Sequence, residues 1–487
     1  MDALNPLPPL PQALSNAYDP EGFRSFGHKM VDMLADHLEH SQKRGAQSSF
    51  PGHTPSEEIA FWKAALHGGA PSDQGSVLKA MLQRSNQLHD PRYMGHQVAV
   101  PLPQEAWVGA MTDLMNNGQA IFEMGPSNAA LEELLMQEIG QMLGLPEDCG
   151  GILCHGGTLG NLVALLAAQR HASLRQGGDS WTEGIQHGTV AILVSEQAHY
   201  CIDRAVRILG WGAEAIVLVG TDDHHRMDLD DLSHKAQALA SQGKTILALV
   251  GSACTTSTGA FDPLQGMADW AEAHDVWFHV DGAHGAPVAF SETHRHLVQG
   301  MDRAQSVVMD FHKLCGLPAL CTGVFYRDRG QSFLPFLQEA EYLWSDAAQK
   351  DWWDTGKRTL ECTKRMLSTR LMSLRSGPGY DIWGTLVDRL WEVASFFAAE
   401  VRHRKGWELA MTPQANIVCF RPKAFQKLTA TEIQAHRATY LRNGSGYVVS
   451  TSIHGERWLR CTFMNPLTEA RDLREMLAQW DDILAAD

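Results

Sequence analysis

From about residue 149 onward, short apolar runs alternate with stretches whose apolar residues recur at helical spacing. The apolar runs are residues 190–194, 215–219, 246–250, 276–280 and 306–309, and the clearest helical stretch between them is 264–274. Continuous apolar strands separated by helices are typical of a mainly parallel sheet that helices cover on both faces. The pattern therefore predicts an α/β fold for the middle of the chain.

The two ends of the chain have different patterns. Residues 1 to about 18 are rich in proline and predict an extended arm, and residues 19–38 predict a helix with one apolar face, capped by Asp19. After a helix at 383–401, the runs 416–420, 446–450 and 458–463 predict strands of a small α+β domain. We expect a helical N-terminal segment (1–85), a large domain (86–375) and a small C-terminal domain (376–487).

Charge and cysteine content exclude several classes of protein. A formal net charge of -16 leaves no surplus of cations for neutralising phosphates, so a nucleic-acid partner is not expected. Nine cysteines without a CxxC pair are typical of a reducing compartment. No secretory leader and no apolar run of eighteen residues is present, so we expect a cytoplasmic protein with no membrane segment.

An acid and a lysine follow two of the predicted strands. Asp281 comes directly after the run 276–280, and Lys313 follows the run 306–309. Parallel sheets bind ligands at the carboxyl ends of their strands. A lysine there can form an imine with the aldehyde of pyridoxal phosphate, and an acid can pair with the protonated ring nitrogen. The apolar residues around Lys313 predict a lowered pKa for its amine.

Three further features lie at the same predicted sheet edge. A glycine-rich turn, Gly156-Gly157-Thr158, precedes the helical run 162–170 and suits a phosphate. His199 follows the run 190–194, where an imidazole could stack on a pyridine ring and transfer protons. Thr255 and Thr256 follow the run 246–250 and could reach a cofactor or substrate. His224 and His225 predict a solvated turn rather than a metal site, and we expect no metal.

With these residues in view, the chain resembles the group II pyridoxal-phosphate-dependent amino acid decarboxylases of fold type I. This family includes glutamate, aromatic amino acid, cysteine sulfinate and diaminobutyrate decarboxylases. The resemblance extends from about Phe23 to the C-terminus. It rests on separated motifs, which are 89–95, 123–126, Gly156-Gly157-Thr158 with Asn161, His199, 259–262, 279–283, His312-Lys313, 362–365 and 459–466.

The resemblance implies a fold, a reaction and residue roles. It implies a mainly parallel seven-stranded sheet and decarboxylation of an L-amino acid to the amine and CO₂ through a Schiff base on Lys313. Asp281 would hold the ring nitrogen, with Ala283 and His199 on its two faces and Thr256 near the phenolic oxygen. Gly157, Thr158 and His312 would hold the phosphate. The family resemblance also implies a homodimer with the active site at the interface and the 19–38 helix wrapped over the partner.

Some positions depart from the family pattern. Group II enzymes usually carry a tyrosine in a mobile loop, where it protonates the product carbon, but residues 343–358 contain Trp352 and Trp353 and no tyrosine, with Tyr342 just before. Tyr342, His199 or a residue of the other subunit could supply that proton. Asp310 stands where many relatives have asparagine. Arg92, His96 and Gln97 are the substrate candidates, and they suggest an acidic amino acid without excluding a bulky or basic one.

Three alternatives remain open from the sequence. One is another fold-type-I lyase, such as a desulfurase or a carbon–carbon lyase, although the 89–95 motif and the long N-terminal helical segment argue against it. A second is an oxygen-dependent decarboxylase or deaminase, because relatives that lack the loop tyrosine can divert to that chemistry. The third is a non-catalytic paralogue that binds pyridoxal phosphate, against which stand Lys313, Asp281 and His199.

Overall fold

The large sheet of the protein has seven strands. The computed structural model describes residues 8–44, 48–336 and 351–486. The strands of this sheet are β1 (Gly150–Cys154), β2 (Val190–Ser195), β3 (Ile216–Val219), β4 (Thr245–Ser252), β5 (Trp277–Asp281), β6 (Ser306–Asp310) and β7 (Thr322–Tyr326). Their order across the sheet is β1-β7-β6-β5-β4-β2-β3. The five predicted apolar runs are all strands here, and the α/β fold with a seven-stranded, mostly parallel sheet is confirmed.

The sheet is parallel from β3 to β6, and only β7 runs antiparallel to its neighbours β6 and β1. A parallel return needs a crossover of a dozen or more residues, usually with a helix. The connection 311–321 is too short for such a crossover, so β7 turns back beside β6, pairing Thr322 with Asp310. This return holds the segment that carries Lys313 between two hydrogen-bonded strands.

Fifteen α-helices are present in the described ranges. They are α1 (Gln12–Ala17), α2 (Pro20–Gln42), α3 (Pro55–Leu66), α4 (Gln74–Arg84), α5 (Glu105–Met115), α6 (Pro126–Met142), α7 (Gly157–Arg175), α8 (Ser180–Glu183), α9 (Cys201–Ile208), α10 (Leu229–Ser241), α11 (Leu264–His274), α12 (Leu367–Ser376), α13 (Asp381–His403), α14 (Ala430–Asn443) and α15 (Ala470–Ala485). Two separate clusters of buried apolar side chains include residues of the large sheet, Leu193 and Phe278 in one and Ile192 and Val250 in the other. Within the described ranges, no helix has the length and apolar character needed to cross a bilayer.

A second, antiparallel sheet lies in the C-terminal part of the chain. Its strands are β8 (Trp407–Leu409), β9 (Ile417–Pro422), β10 (Val449–Ile453) and β11 (Glu456–Thr462), in the order β10-β11-β9-β8. The predicted strand 446–450 is shifted along the chain. Tyr447 instead hydrogen-bonds through its backbone to Arg92 and Met94, which joins the small sheet to the segment ahead of α5.

The N-terminal segment is helical from residue 12, so the prediction of an extended arm up to residue 18 is wrong for its second half. Pro11 precedes α1, where a proline costs the helix no hydrogen bond. The Asp19 carboxylate caps α2 by accepting from the backbone N–H of Gly22 at 2.8 Å, as predicted. Only Ser41 of α2 is buried, so this long helix leaves apolar side chains such as Phe23 exposed.

Candidate active site

A cavity of about 330 Å³ lies at the carboxyl ends of the parallel strands. All the residues predicted to contact a cofactor line it, namely Gly157, Thr158, His199, Thr256, Asp281, Ala283, His312 and Lys313. Thr255, also predicted near this edge, lines it too. The lining further includes Asp310, Cys201, Cys254 and His284, which the sequence interpretation had not placed there. The sheet thus brings the predicted aldehyde-binding, ring-binding and phosphate-binding residues together.

Lys313 ends a tight turn that follows β6. Its Nζ lies 2.9 Å from Oδ2 of Asp310, and its backbone N–H donates to the Asp310 carbonyl at 3.1 Å. Burial acts to lower the pKa of Lys313, but the Asp310 carboxylate, helped by Asp281, holds that pKa above its ordinary value. The predicted lowering of this pKa is therefore wrong, because an anionic side chain three residues away outweighs the apolar surroundings.

Asp281 is the last residue of β5 and is buried at the floor of the cavity. Its Oδ1 accepts from the backbone N–H of Ala283 at 3.2 Å, and its Oδ2 lies 3.9 Å from the Cys201 thiol. Among the described residues, no lysine, arginine or histidine forms an ion pair with Asp281. A buried carboxylate that is not engaged in an ion pair is suited to pair with a protonated ring nitrogen.

The N-terminus of α7 opens onto the same cavity. Gly156 has φ +104° and leaves the helix without a side-chain cap, so backbone N–H groups of its first turn are free for a ligand. A side chain on Gly157 would lie 3.2 Å from Cβ of Ala283, which is a close approach. Helix N-termini attract anions, and Thr158 adds a hydroxyl to the cavity wall. This end of the cavity fits a phosphate group.

His199 lies where the chain leaves β2 for α9. Burial lowers the pKa of His199 below its usual value, although Asp281 acts in the opposite direction. The backbone N–H of Cys201 donates to Nδ1 at 3.3 Å, so a neutral ring carries its proton on Nε2. The imidazole is thus a neutral group that can stack on a ring and donate a hydrogen bond from Nε2.

The three substrate candidates do not line the cavity. Arg92 is buried and binds the Asp90 carboxylate through two nitrogens, at 2.9 and 2.6 Å, so its charge is already neutralised. His96 is exposed, with Nε2 3.0 Å from the Tyr447 hydroxyl. Gln97 has a buried Nε2 without a hydrogen-bond partner. The position of Asp90, two residues before Arg92, could have indicated from the sequence that Arg92 pairs with this carboxylate rather than with a substrate.

Arg460 belongs to the 459–466 motif but was given no role from the sequence, and the structure brings it into contact with a residue of the cavity wall. It lies on β11, 8% exposed, and one of its terminal nitrogens donates to the Thr256 carbonyl at 2.6 Å. Its Nε is buried without an acceptor, and no carboxylate pairs with it in the described part of the chain. A charge buried in this way is costly unless a ligand neutralises it. The feature that could have indicated this from the sequence is an arginine between the apolar residues of a predicted strand.

The paired histidines and the paired tryptophans noted in the sequence lie outside the cavity lining. His225 is buried rather than solvated, with its ring 5.0 Å from that of His454, because the turn packs against the β10–β11 hairpin. Trp352 and Trp353 contact each other edge to face at 5.5 Å. Tyr342, the candidate proton donor, lies outside the described residues.

The arrangement fits pyridoxal phosphate. A lysine amine, an unpaired carboxylate and an uncapped helix N-terminus surround one cavity, as an aldehyde, a ring nitrogen and a phosphate require. A histidine of lowered pKa, His199, lines the same cavity. The donor set supports this cofactor on chemical grounds.

Comparisons with known proteins agree with this geometry. A family model described as "Pyridoxal-dependent decarboxylase conserved domain" matches residues 93–423, more than half of the chain. L-2,4-diaminobutyrate decarboxylase of Rhizobium meliloti is 28% identical over 92% of this chain and 89% of its own. Aspartate 1-decarboxylase of Aliivibrio fischeri is 31% identical over 69% of this chain and 66% of its own.

Solved structures resemble the fold across nearly the whole chain. Cysteine sulfinic acid decarboxylase of Mus musculus is 28% identical over 76% of this chain and 77% of its own. The crystal structure of mouse CSAD has a TM-score of 0.83 and covers 96% of this chain and 99% of that one. The structure of Oryza sativa TDC with PLP and tryptamine has a TM-score of 0.85 at 22% identity, covering 96% of this chain and 99% of that one.

Proposed function

This chain belongs to the pyridoxal-dependent decarboxylase family, and from that premise we propose a role for each residue of the cavity. Decarboxylation of an amino acid with pyridoxal phosphate is the reaction of the family and of this enzyme. The cofactor supplies an aldehyde for an amine and a ring that accepts the electron pair left when CO₂ departs. The roles to assign are those of the residues that bind the cofactor, orient the substrate and transfer protons.

Lys313 is the residue proposed to bind the cofactor aldehyde, and Asp281 the residue proposed to hold the ring nitrogen. Lys313 is the only lysine that lines the cavity in the described ranges. Asp281 has no cationic partner there, so its carboxylate stays available to keep a proton on the ring nitrogen. A protonated ring withdraws electrons more strongly, and this is how Asp281 would favour the loss of CO₂.

Gly157, Thr158 and His312 are proposed to hold the phosphate, and His199 to cover one face of the ring opposite Ala283. His312 is fixed in place, since its Nδ1 lies 2.9 Å from the Cys321 carbonyl. With its proton on Nε2, the neutral His199 ring can donate a hydrogen bond to a substrate carboxylate. To return a proton to the product carbon, the ring must first take up a second proton and become imidazolium. Thr256 lines the same wall, near the expected position of the phenolic oxygen.

We infer that the substrate is an amino acid with an acidic side chain. The supporting observation is Arg460, a buried guanidinium with no carboxylate partner in the described part of the chain, which touches Thr256 at the cavity wall. His96 and Tyr447 lie on the same side. Aspartate and cysteine sulfinate, for which two of the relatives are named, carry the second anion that such a cation favours.

A homodimer is the proposed assembly. Apolar side chains remain exposed on α2 and α5, among them Phe23, Trp107, Met111 and Leu114. Contiguous exposed apolar faces of this kind mark interaction surfaces. Light scattering after size exclusion would give the mass of a dimer, and Leu114→Asp would shift the mass toward the monomer. A monomeric wild-type enzyme would contradict this assembly.

The observation that carries the proposal is the meeting of Lys313 and Asp281 in one cavity beside the N-terminus of α7. The test is a panel containing aspartate, glutamate, cysteine sulfinate, 2,4-diaminobutyrate and tryptophan. For each, CO₂, amine, aldehyde and oxygen uptake are quantified. We expect CO₂ and amine in equal amounts from an acidic substrate. Aldehyde with oxygen uptake would instead support the oxidative alternative, and Lys313→Ala should abolish all products.

A further inference from the structure

Asp310 is a buried carboxylate fixed within the cofactor cavity. It is 2% exposed, and its Oδ1 accepts from the Thr322 hydroxyl at 2.5 Å. Its Oδ2 lies 2.9 Å from Nζ of Lys313 and 3.7 Å from Nε2 of His312. Asp310 ends β6 and pairs with Thr322 on β7, and the hydrogen bond from Thr322 holds its carboxylate at the cavity wall.

The same carboxylate adjoins the phosphate-binding end of the cavity. A Cβ built on Gly157 would lie 3.0 Å from Oδ2 and 3.1 Å from Oδ1 of Asp310. Gly157 is the first residue of α7, whose free N–H groups suit an anion. The Asp310 carboxylate therefore places a negative charge close to where the negatively charged phosphate of the cofactor is proposed to bind.

We propose that Asp310 weakens cofactor retention, because it holds Lys313 as an ammonium ion in the cofactor-free protein and opposes the phosphate. Only the neutral amine can attack an aldehyde carbon. Capture therefore requires Lys313 to lose a proton to solvent before its nitrogen bonds that carbon and one water leaves. The Asp310 carboxylate also repels the phosphate, because it lies beside Gly157 at the N-terminus of α7, where the phosphate is proposed to bind. This inference rests on the proposed role of Lys313.

The test is Asp310→Asn, which keeps the oxygen that accepts from Thr322 and removes the charge. The dissociation constant for pyridoxal phosphate is measured from the visible absorbance of the bound form. The release rate is measured in cofactor-free buffer that contains a scavenger. We expect the dissociation constant to fall at least tenfold and release to slow. Pyridoxal, which lacks the phosphate, should gain less. An unchanged or larger constant overturns the proposal, and an equal gain for pyridoxal overturns its phosphate part.

Controls separate charge from structure. Thr322→Val removes a hydrogen bond from Asp310 without changing the charge and should bring no gain in affinity. If Asp310→Asn does not fold by circular dichroism, Asp310→Ser carries the same test. Borohydride trapping followed by peptide mass analysis shows whether the cofactor is attached at Lys313. Loss of that adduct in Lys313→Ala together with no gain in Asp310→Asn would refute only the role of Asp310, whereas an adduct at another lysine would refute the proposed function.

Discussion

Nε2 of His279 lies 2.7 Å from Oδ1 of Asn161, deep in the protein. This contact joins the first turns of α7, which carries the phosphate-binding residues, to β5, which ends in Asp281. Asn161 also donates to the Gly157 carbonyl at 2.8 Å, and Nδ1 of His279 lies 2.8 Å from the Ser306 hydroxyl on β6. The two ends of the cofactor site are therefore held at a fixed separation by one buried chain of hydrogen bonds.

Asn161→Ala should weaken both folding and cofactor binding. The substitution leaves Nε2 of His279 buried without a partner, which costs about 1–3 kcal/mol. Urea unfolding measures the lost free energy, and cofactor titration measures the dissociation constant, which should rise. Asn16→Ala, at an exposed position of α1, is the matched control and should change neither. A stable variant with normal cofactor affinity would show that the contact is dispensable.

Asp281→Ala should reduce turnover far more than Thr256→Ala. Asp281 is placed to stabilise charge on the ring during the loss of CO₂, whereas the Thr256 side chain would reach only the phenolic oxygen. We expect kcat to fall by about 100-fold or more for Asp281→Ala and by less than about 10-fold for Thr256→Ala. Steady-state CO₂ release, with the cofactor content of each variant determined by absorbance, tests this difference. Equal losses would argue against the ring-nitrogen role.

Arg460→Gln should raise KM for an acidic substrate by about 100-fold, because a charge-assisted hydrogen bond is lost. Cofactor absorbance should stay unchanged, since Arg460 does not line the cofactor cavity. Arg437→Gln is the control, because Arg437 lies beside Tyr447 but already donates to the Val448 carbonyl. If KM rises only with Arg437→Gln, or if both variants leave it unaltered, the substrate contact lies elsewhere.

Stability should fall as the pH drops below about 6.5. Burial lowers the pKa of His279 to about 4 and that of His284 to about 3, from an ordinary value of 6.5. Below pH 6.5 these two histidines bind protons in the unfolded chain but stay neutral in the folded protein. Their contribution to the free energy of unfolding is therefore complete above pH 6.5 and is lost as the pH falls toward 4. For His279 the loss is on the order of 3 kcal/mol.

Urea unfolding between pH 7.5 and 4.5 measures this dependence. His279→Gln removes one of the two buried imidazoles and should flatten the decline of unfolding free energy with falling pH, whatever its effect at pH 7.5. His403→Gln, at an exposed position, should leave the slope as in the wild type. A wild-type slope in the His279 variant would assign the pH dependence to other groups.

The α/β fold was predictable, and so was the meeting of Asp281 and Lys313 in one cavity, because continuous apolar runs followed by these two residues encode buried parallel strands locally. Strand β7 was not singled out, since it is short and its place depends on pairing with β6. The raised pKa of Lys313 depends on where the Asp310 side chain points, which spacing does not define. Arg460 joins the site from a different sheet, and no local pattern reports such a long-range contact.

Every described residue that lines the cofactor cavity comes from one continuous stretch of chain, residues 155–320. Arg460, Tyr447 and His96 come from outside it. With the substrate role proposed for Arg460, the residues that carry out the reaction and the residues that choose the substrate lie in separate parts of the sequence. We therefore predict that substitutions at 96–97, 447 and 460 change which amino acid is accepted without abolishing decarboxylation, and libraries for engineering selectivity belong at these positions.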